Sequence, residues 1–152
     1  MTRNSYSDEL MRAAARPDAA ELREIVSAYH RYSKLDRKEK DAFVATCADS
    51  WETFYRTHED PDLGLALVAL AASMYDDPEF LFLVAAGPLE DILQKPSRET
   101  IDRVATEARK NARMRWMLTG VFLHAISDET RLHIVAAIDG MTENDPMPPR
   151  SN

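Results

Sequence analysis

One device occurs twice in this chain and sets the frame for everything around it. Asp60-Pro61-Asp62 and Asp77-Pro78-Glu79 lie seventeen residues apart and have the same form. An Asp stands at an N-cap, a Pro at the first helical position where its missing N–H costs nothing, and an acid follows at the positive end of the helix dipole. Two successive helices are therefore predicted to start there. Between the two starts run Leu63, Leu65, Leu67, Val68, Leu70 and Met74, apolar nearly all round the helix. A helix with no polar face belongs in the middle of a protein, which predicts a central buried element covered by amphipathic neighbours. The run Phe80 to Ala86 has the apolarity of a buried strand, but its Asp-Pro-Glu start predicts a short helix.

The neighbours are visible as stripes. Leu22, Ile25, Val26, Tyr29 and Tyr32 form one at helical spacing, and Phe43, Val44, Cys47, Trp51, Phe54 and Tyr55 form a longer one. Asp36 with Glu39 has the spacing of a capping box. Ser97 is predicted to cap a helix with Ile101, Val104, Ala105 and Ala108 inward. Asn111 is predicted to cap the next, which carries Met114, Met117, Leu118, Val121 and Phe122, and Ser127 the last, through Leu132, Val135, Ala136 and Ile138 to Gly140. The fold class is all-α, a single bundle of about six or seven amphipathic helices in a form compatible with helical-hairpin repeats. It is expected to occupy residues 1–141, with 1–17 loosely attached and the polar, proline-rich 142–152 a disordered tail.

VAAGPLEDIL, residues 84–93, reads as a joint between helices. Gly87 stands where a helix end favours positive φ, Pro88 and Leu89 open the next helix, and Glu90 and Asp91 oppose its dipole. Adjacent residues on a helix point about 100° apart, so Glu90 and Asp91 do not form a convergent catalytic pair.

Composition excludes more than it assigns. The chain has 152 residues, 45% hydrophobic and 30% charged, enough for one domain with a sizeable core. Cys47 is the single cysteine, so no intramolecular disulfide forms and a Cys-only zinc site is ruled out; on its apolar stripe it reads as an inert core thiol. A reducing compartment, the cytoplasm, is expected. His30, His58, His124 and His133 include no pair at i, i+4 and no HExxH, and four scattered glycines make no phosphate loop, so neither metal nor cofactor is expected. The run Leu63 to Ala72 is half the length of a membrane span.

A net charge of −7 opposes general affinity for nucleic acid or anionic lipid. The charge is uneven. Residues 49–91 hold ten acids against Arg56 alone, whereas residues 95–115 hold seven Lys or Arg against three acids. That contrast allows an acidic face for a basic protein partner, while charge runs also arise as ordinary solvated helix faces.

The segments DPDLGLALVALAA, VAAGPLEDIL and ETIDRVATEARKNARMRWMLTGVFL resemble a bacterial family catalogued as a domain of unknown function (6869), with an Ala-Gly-Pro-Leu-Glu-Asp core at residues 86–91. The resemblance spans roughly residues 36–125 and implies an all-helical fold without an activity. The chain departs from the family after the joint, reading QKPSRET where members carry a longer segment ending in His-Gly. FLHAISDETRLHIVAAI is locally similar to winged-helix repressors of the arsenic-sensing type. About fourteen residues remain after Ile138, with Pro146, Pro148 and Pro149 among them, too few for a recognition helix and wing.

Two functions remain in view. One is a non-catalytic protein–protein interaction module, of which a toxin-neutralising, immunity-like protein is an example, presenting Glu52, Glu59 and Asp62 to a basic partner. The other is a small hydrolase or ligand-binding protein with a pocket near the Gly87-Pro88 joint, lined by Glu90, Asp91, Asp102, Arg103 and Trp116.

Overall fold

The computed structural model of the chain describes residues 6–46, 56, 57 and 59–151, and every regular element among them is helical. In order these are α1 (Asp8–Ala15), α2 (Ala19–Ser33), α3 (Arg37–Thr46), α4 (Pro61–Met74), α5 (Pro78–Val84), a π turn (Ala85–Leu89), α6 (Glu90–Ile92), α7 (Arg98–Lys110), α8 (Ala112–Leu118), a 3-10 turn (Leu123–Ala125) and α9 (Asp128–Ile138). The helices slightly outnumber the six or seven expected, because the short α6 continues α5 beyond the π turn. The second half of the Phe43–Tyr55 stripe, with Cys47 and Glu52, lies outside the described residues, as does His58.

Local chemistry sets the helix starts. The Asp60 carboxylate accepts from the Leu63 N–H at 3.2 Å and Asp77 from that of Phe80 at 3.2 Å, each with Pro in the first turn. Asp36 and Glu39 form the reciprocal box: the Glu39 N–H donates to Asp36 at 2.8 Å and the Asp36 N–H to Glu39 at 3.4 Å. Ser97, Asn111 and Ser127 cap α7, α8 and α9. Asn111 also ends α7, so one residue separates the two helices.

The core gathers around α4, whose Leu63, Leu65, Leu67, Val68 and Leu70 are all buried. Each such side chain contributes roughly 1.5–3 kcal/mol relative to exposure. Against α4 pack α1, α2, the π turn, α5 and α6, while α7, α8 and α9 form a second group. Helices thus surround a centre and do not stack as repeated hairpins. Gly64 lets α6 close on α4, since a Cβ there would lie 2.5 Å from Ile92 Cγ2.

Four expectations are corrected. Gly87 is not a left-handed helix end. Among described glycines only Gly140 has positive φ, and the chain passes from α5 to α6 through a π turn containing Gly87, Pro88 and Leu89. In an α-helix Pro88 would clash with the carbonyl four residues back and leave it without a donor; the wider π turn relieves that conflict without ending the rod. The described part of the 1–17 segment, residues 6–17, is not loosely attached: Ser7 and Glu9 are buried, Ser7 Oγ donates to Glu107, and the Glu9 carboxylate receives Arg103. Nor is the 142–152 segment without structure over its described part, for Met147 packs on the core, the Trp116 indole N–H donates to Asp145 O at 3.0 Å, and Arg113 Nε donates to Pro148 O at 2.8 Å. Finally, α9 buries Ile134, Ala137 and Ile138, leaving Leu132 and Val135 outside.

Candidate functional site

The residues assigned to a pocket near the joint do not line one cavity: Asp102 and Arg103 share a groove beside α1, and Glu90, Asp91 and Trp116 are engaged elsewhere. Glu90 leans onto the next segment and accepts from the Phe122 N–H at 2.6 Å. Asp91 lies by the Thr57 hydroxyl at 3.5 Å. Asp102 is on the exposed side of α7, paired with Arg98 one turn away at 3.3 Å. Trp116 is 2% exposed and stacked on Phe82 at 4.2 Å between centroids, so it is a core residue and has no surface to offer a ligand. Arg103 is held by the Glu9 carboxylate through two donors, Nε at 3.1 Å and Nη2 at 2.8 Å, and also reaches Asp62. Glu9 first, and Asp62 after it, raise Arg103 above its already high ordinary value.

Among the described residues the acidic middle does not form one face. α4 is about 20 Å long at 1.5 Å per residue, and it separates Glu59, Asp60 and Asp62 at its start from Asp76, Asp77 and Glu79 beyond its end. Each group finds cations from elsewhere in the chain. Arg103 holds the Asp62 carboxyl below the ordinary carboxylate value. Arg150 and Arg113 do the same for Asp76. Asp77 accepts from Lys34 at 2.6 Å and His30 at 2.9 Å. Glu59 is exposed, and Glu52 lies outside the described residues.

Three polar residues missed in the sequence carry much of this organisation. Glu9, 3% exposed, anchors α1 to α7 through Arg103. Glu107, also 3% exposed, accepts from Ser7 Oγ, the Glu9 N–H at 3.3 Å and Asn111 Nδ2 at 3.2 Å. Arg113, 1% exposed, donates through Nη1 to Ala72 O at 2.8 Å and Tyr75 O at 3.0 Å, through Nη2 to Asp76 at 2.9 Å, and through Nε to Pro148 O. Its position one turn before Met117, on the apolar side of a short helix whose other cation is Arg115, was the available signal.

Two surface features stand apart from these scaffolding networks. The first is the outward side of α9, where Leu132 is 72% and Val135 50% exposed, one turn apart and therefore on one face. Asp128 and Glu129 lie on the exposed N-terminal turn of the same helix. The second is a cleft of about 640 Å³ where α7, α8 and the end of α9 meet, within the size range of small-molecule sites. Arg109, Arg115, Asp139 and Asp145 line it over an apolar floor that includes Ala137, Ile138 and Met141. Asp139 occupies the left-handed region at φ 53°, and Gly140 follows at φ 80°. Among the described residues no group of His, Cys, Asp and Glu is arranged to hold a metal ion, and no helix is long and apolar enough to cross a membrane.

A family model described as "Family of unknown function (DUF6869)" matches residues 33–142. No curated protein and no solved structure matches the chain.

Proposed function

The chain belongs to the family of unknown function DUF6869, whose span takes in α3 to α9, and from that premise we propose that it is a non-catalytic protein-interaction module that docks a basic partner on the outward side of α9. The observation that carries this reading is the exposure of Leu132 and Val135 on a helix whose opposite side already supplies Ile134, Ala137 and Ile138 to the core. A helix apolar on both sides loses stabilisation wherever water reaches the outer one, and a partner that covers it recovers the burial. The partner's charge follows from the acids beside the apolar pair, Asp128 and Glu129, whose side chains are 89% and 76% exposed; their ion pairs with Arg131 and Arg98 are made in solvent, where screening leaves them weak enough to be exchanged for a partner's cations. An apolar centre with an acidic edge suits a partner segment carrying apolar anchors with Lys or Arg next to them. A toxin-neutralising, immunity-like protein has this form.

The acidic face of Glu52, Glu59 and Asp62 has less behind it, because the arginine that holds Asp62 is largely buried and fixed by Glu9, whereas the pairs of Asp128 and Glu129 lie in solvent. A hydrolytic pocket at the joint loses its basis with the dispersal of Glu90, Asp91, Asp102, Arg103 and Trp116.

The test is affinity capture from native lysate at low and high salt, with wild-type protein, Leu132→Glu and a Glu59→Lys/Asp62→Lys double variant in parallel. The expected result is a basic partner recovered by wild type and by the double variant, weakened by salt, and lost with Leu132→Glu. Capture that survives Leu132→Glu and fails with the double variant transfers the interaction to the α4 start and overturns the assignment to α9.

A further inference from the structure

We propose that the cleft between α7, α8 and the end of α9 is a binding site for a small zwitterion, a ligand carrying a carboxylate and an ammonium group, as a free amino acid or a short peptide does. This goes beyond the partner reading and does not depend on it. The argument rests on which charges in the cleft are already used. Arg115 is fixed from behind: its Nη1 donates to Ala108 O at 2.9 Å and Arg109 O at 3.1 Å, the closing carbonyls of α7. Its Nε and Nη2 have no partner among the described residues. Arg109, on the last turn of α7, makes no ion pair or side-chain hydrogen bond there, and neither does the Asp139 carboxylate. Asp145 is half used, with one oxygen accepting from the Thr142 N–H at 2.8 Å.

Two opposite charges that line one cleft without pairing with each other leave a gap that a ligand bearing both complementary groups would bridge. A guanidinium pair matches the geometry of a carboxylate, with one member already immobilised by backbone so that less freedom is lost on binding. Asp139 and Asp145 provide the matching acceptors for an ammonium group. Their presence disfavours a simple polyanion, since two carboxylates in the lining would repel it. The floor of Ala137, Ile138 and Met141 adds a place for an apolar side chain. The rest of the molecule offers less: the grooves beside α1 are filled with the Glu9, Arg12 and Arg103 ion pairs already described.

The experiment is an NMR titration of the full chain, following the amides of Ile138, Gly140 and Met141, with L-leucine in one arm and the tripeptide Ala-Leu-Ala in another. N-acetylated and C-amidated forms of each, and inorganic phosphate, serve as competitors in kind. The expected result is saturable shifts from at least one free zwitterion in the millimolar range or tighter, weakened about tenfold or more by blocking either charged end. Arg109→Ala and Asp139→Asn should each weaken binding to a similar degree at unchanged melting temperature, since Arg109 is exposed and Asn accepts the left-handed backbone as Asp does. The proposal is overturned if neither zwitterion gives saturable shifts at about 20 mM, well past the millimolar range. It is equally overturned if blocked forms or phosphate bind as well as the free ligand.

Discussion

Arg113 permits the sharpest test of the scaffold. The residue is 1% exposed, and its guanidinium serves the end of α4 through Ala72 O and Tyr75 O, the following loop through Asp76, and the C-terminal segment through Pro148 O. Hydrogen bonds to a charged group contribute about 1.5–3 kcal/mol each, and they are not additive when one side chain makes all of them. The Asp76 part is discounted, because that carboxylate is 57% exposed and solvent screens the pair. What remains is a buried cation with three carbonyl partners, whose removal by Arg113→Ala strands those carbonyls and opens a void, a loss of about 3–5 kcal/mol. At roughly 2–4 °C per kcal/mol for a chain of this size, the melting temperature should fall by roughly 6–20 °C. Arg113→Lys should recover only part of it, because the single ammonium nitrogen cannot reach acceptors that the guanidinium serves from three separate nitrogens. Urea unfolding followed by circular dichroism gives the free energy. Hydrogen exchange at the Met147 amide reports whether the C-terminal segment has let go. A loss below about 1 kcal/mol, or unchanged exchange at Met147, refutes the reasoning.

Asp77 supplies a pH dependence. Burial pushes its carboxyl up, but donation from Lys34, the Phe80 N–H and His30 together outweighs this and leaves it at about 2 against an ordinary 3.8. A group depressed in the folded state stabilises above its unfolded value and loses that contribution as pH falls from 3.8 through 2. Asp77→Asn keeps a competent cap, so wild type should exceed it by on the order of 1–2 kcal/mol at pH 6 and by almost nothing at pH 2; a gap that is constant with pH contradicts this. Gly87→Ala should be neutral or stabilising by up to about 1 kcal/mol, since the position is helical and a Cβ would meet only the Tyr29 hydroxyl oxygen at 3.7 Å. A loss greater than that in thermal melts would show that the turn requires glycine.

Much of the helical frame was readable because caps act over three residues. Asp36, Asp60, Asp77, Ser97, Asn111 and Ser127 all do locally what their spacing implies. The charges were not readable in the same way, because their partners are remote: Glu9 with Arg103, Ser7 with Glu107, Arg113 with Pro148. Counting acids between residues 49 and 91 measured the sequence and not the surface, since cations from α2, α7, α8 and the C-terminal segment neutralise several of them. The inward side of α9 was misjudged for a different reason. A helix with Leu132, Ile134, Val135, Ala137 and Ile138 has apolar residues on both sides, and periodicity then gives no phase. The cleft was not readable because its residues come from three helices and the segment after α9, none with a pattern of its own.

The π turn has a meaning for how such a rod is numbered. From Phe80 to Leu93 the buried residues come in pairs at a strict interval: Phe80 and Leu81, Val84 and Ala85, Pro88 and Leu89, Ile92 and Leu93. Four residues of α-helix turn through about 400°, so a pattern of period four creeps about 40° around the axis at each repeat and about 120° over three. An unbroken α-helix would therefore carry the last pair well away from α4. A π turn closes its ring one residue later and rotates less per residue, which takes back part of that creep. The spare residue beside Gly87 and Pro88 thus acts as a leap day, restoring the calendar of the sequence to the season of the core. Apolar pairs repeating every four residues, a period longer than the turn of an α-helix, are how such a correction is written in a chain.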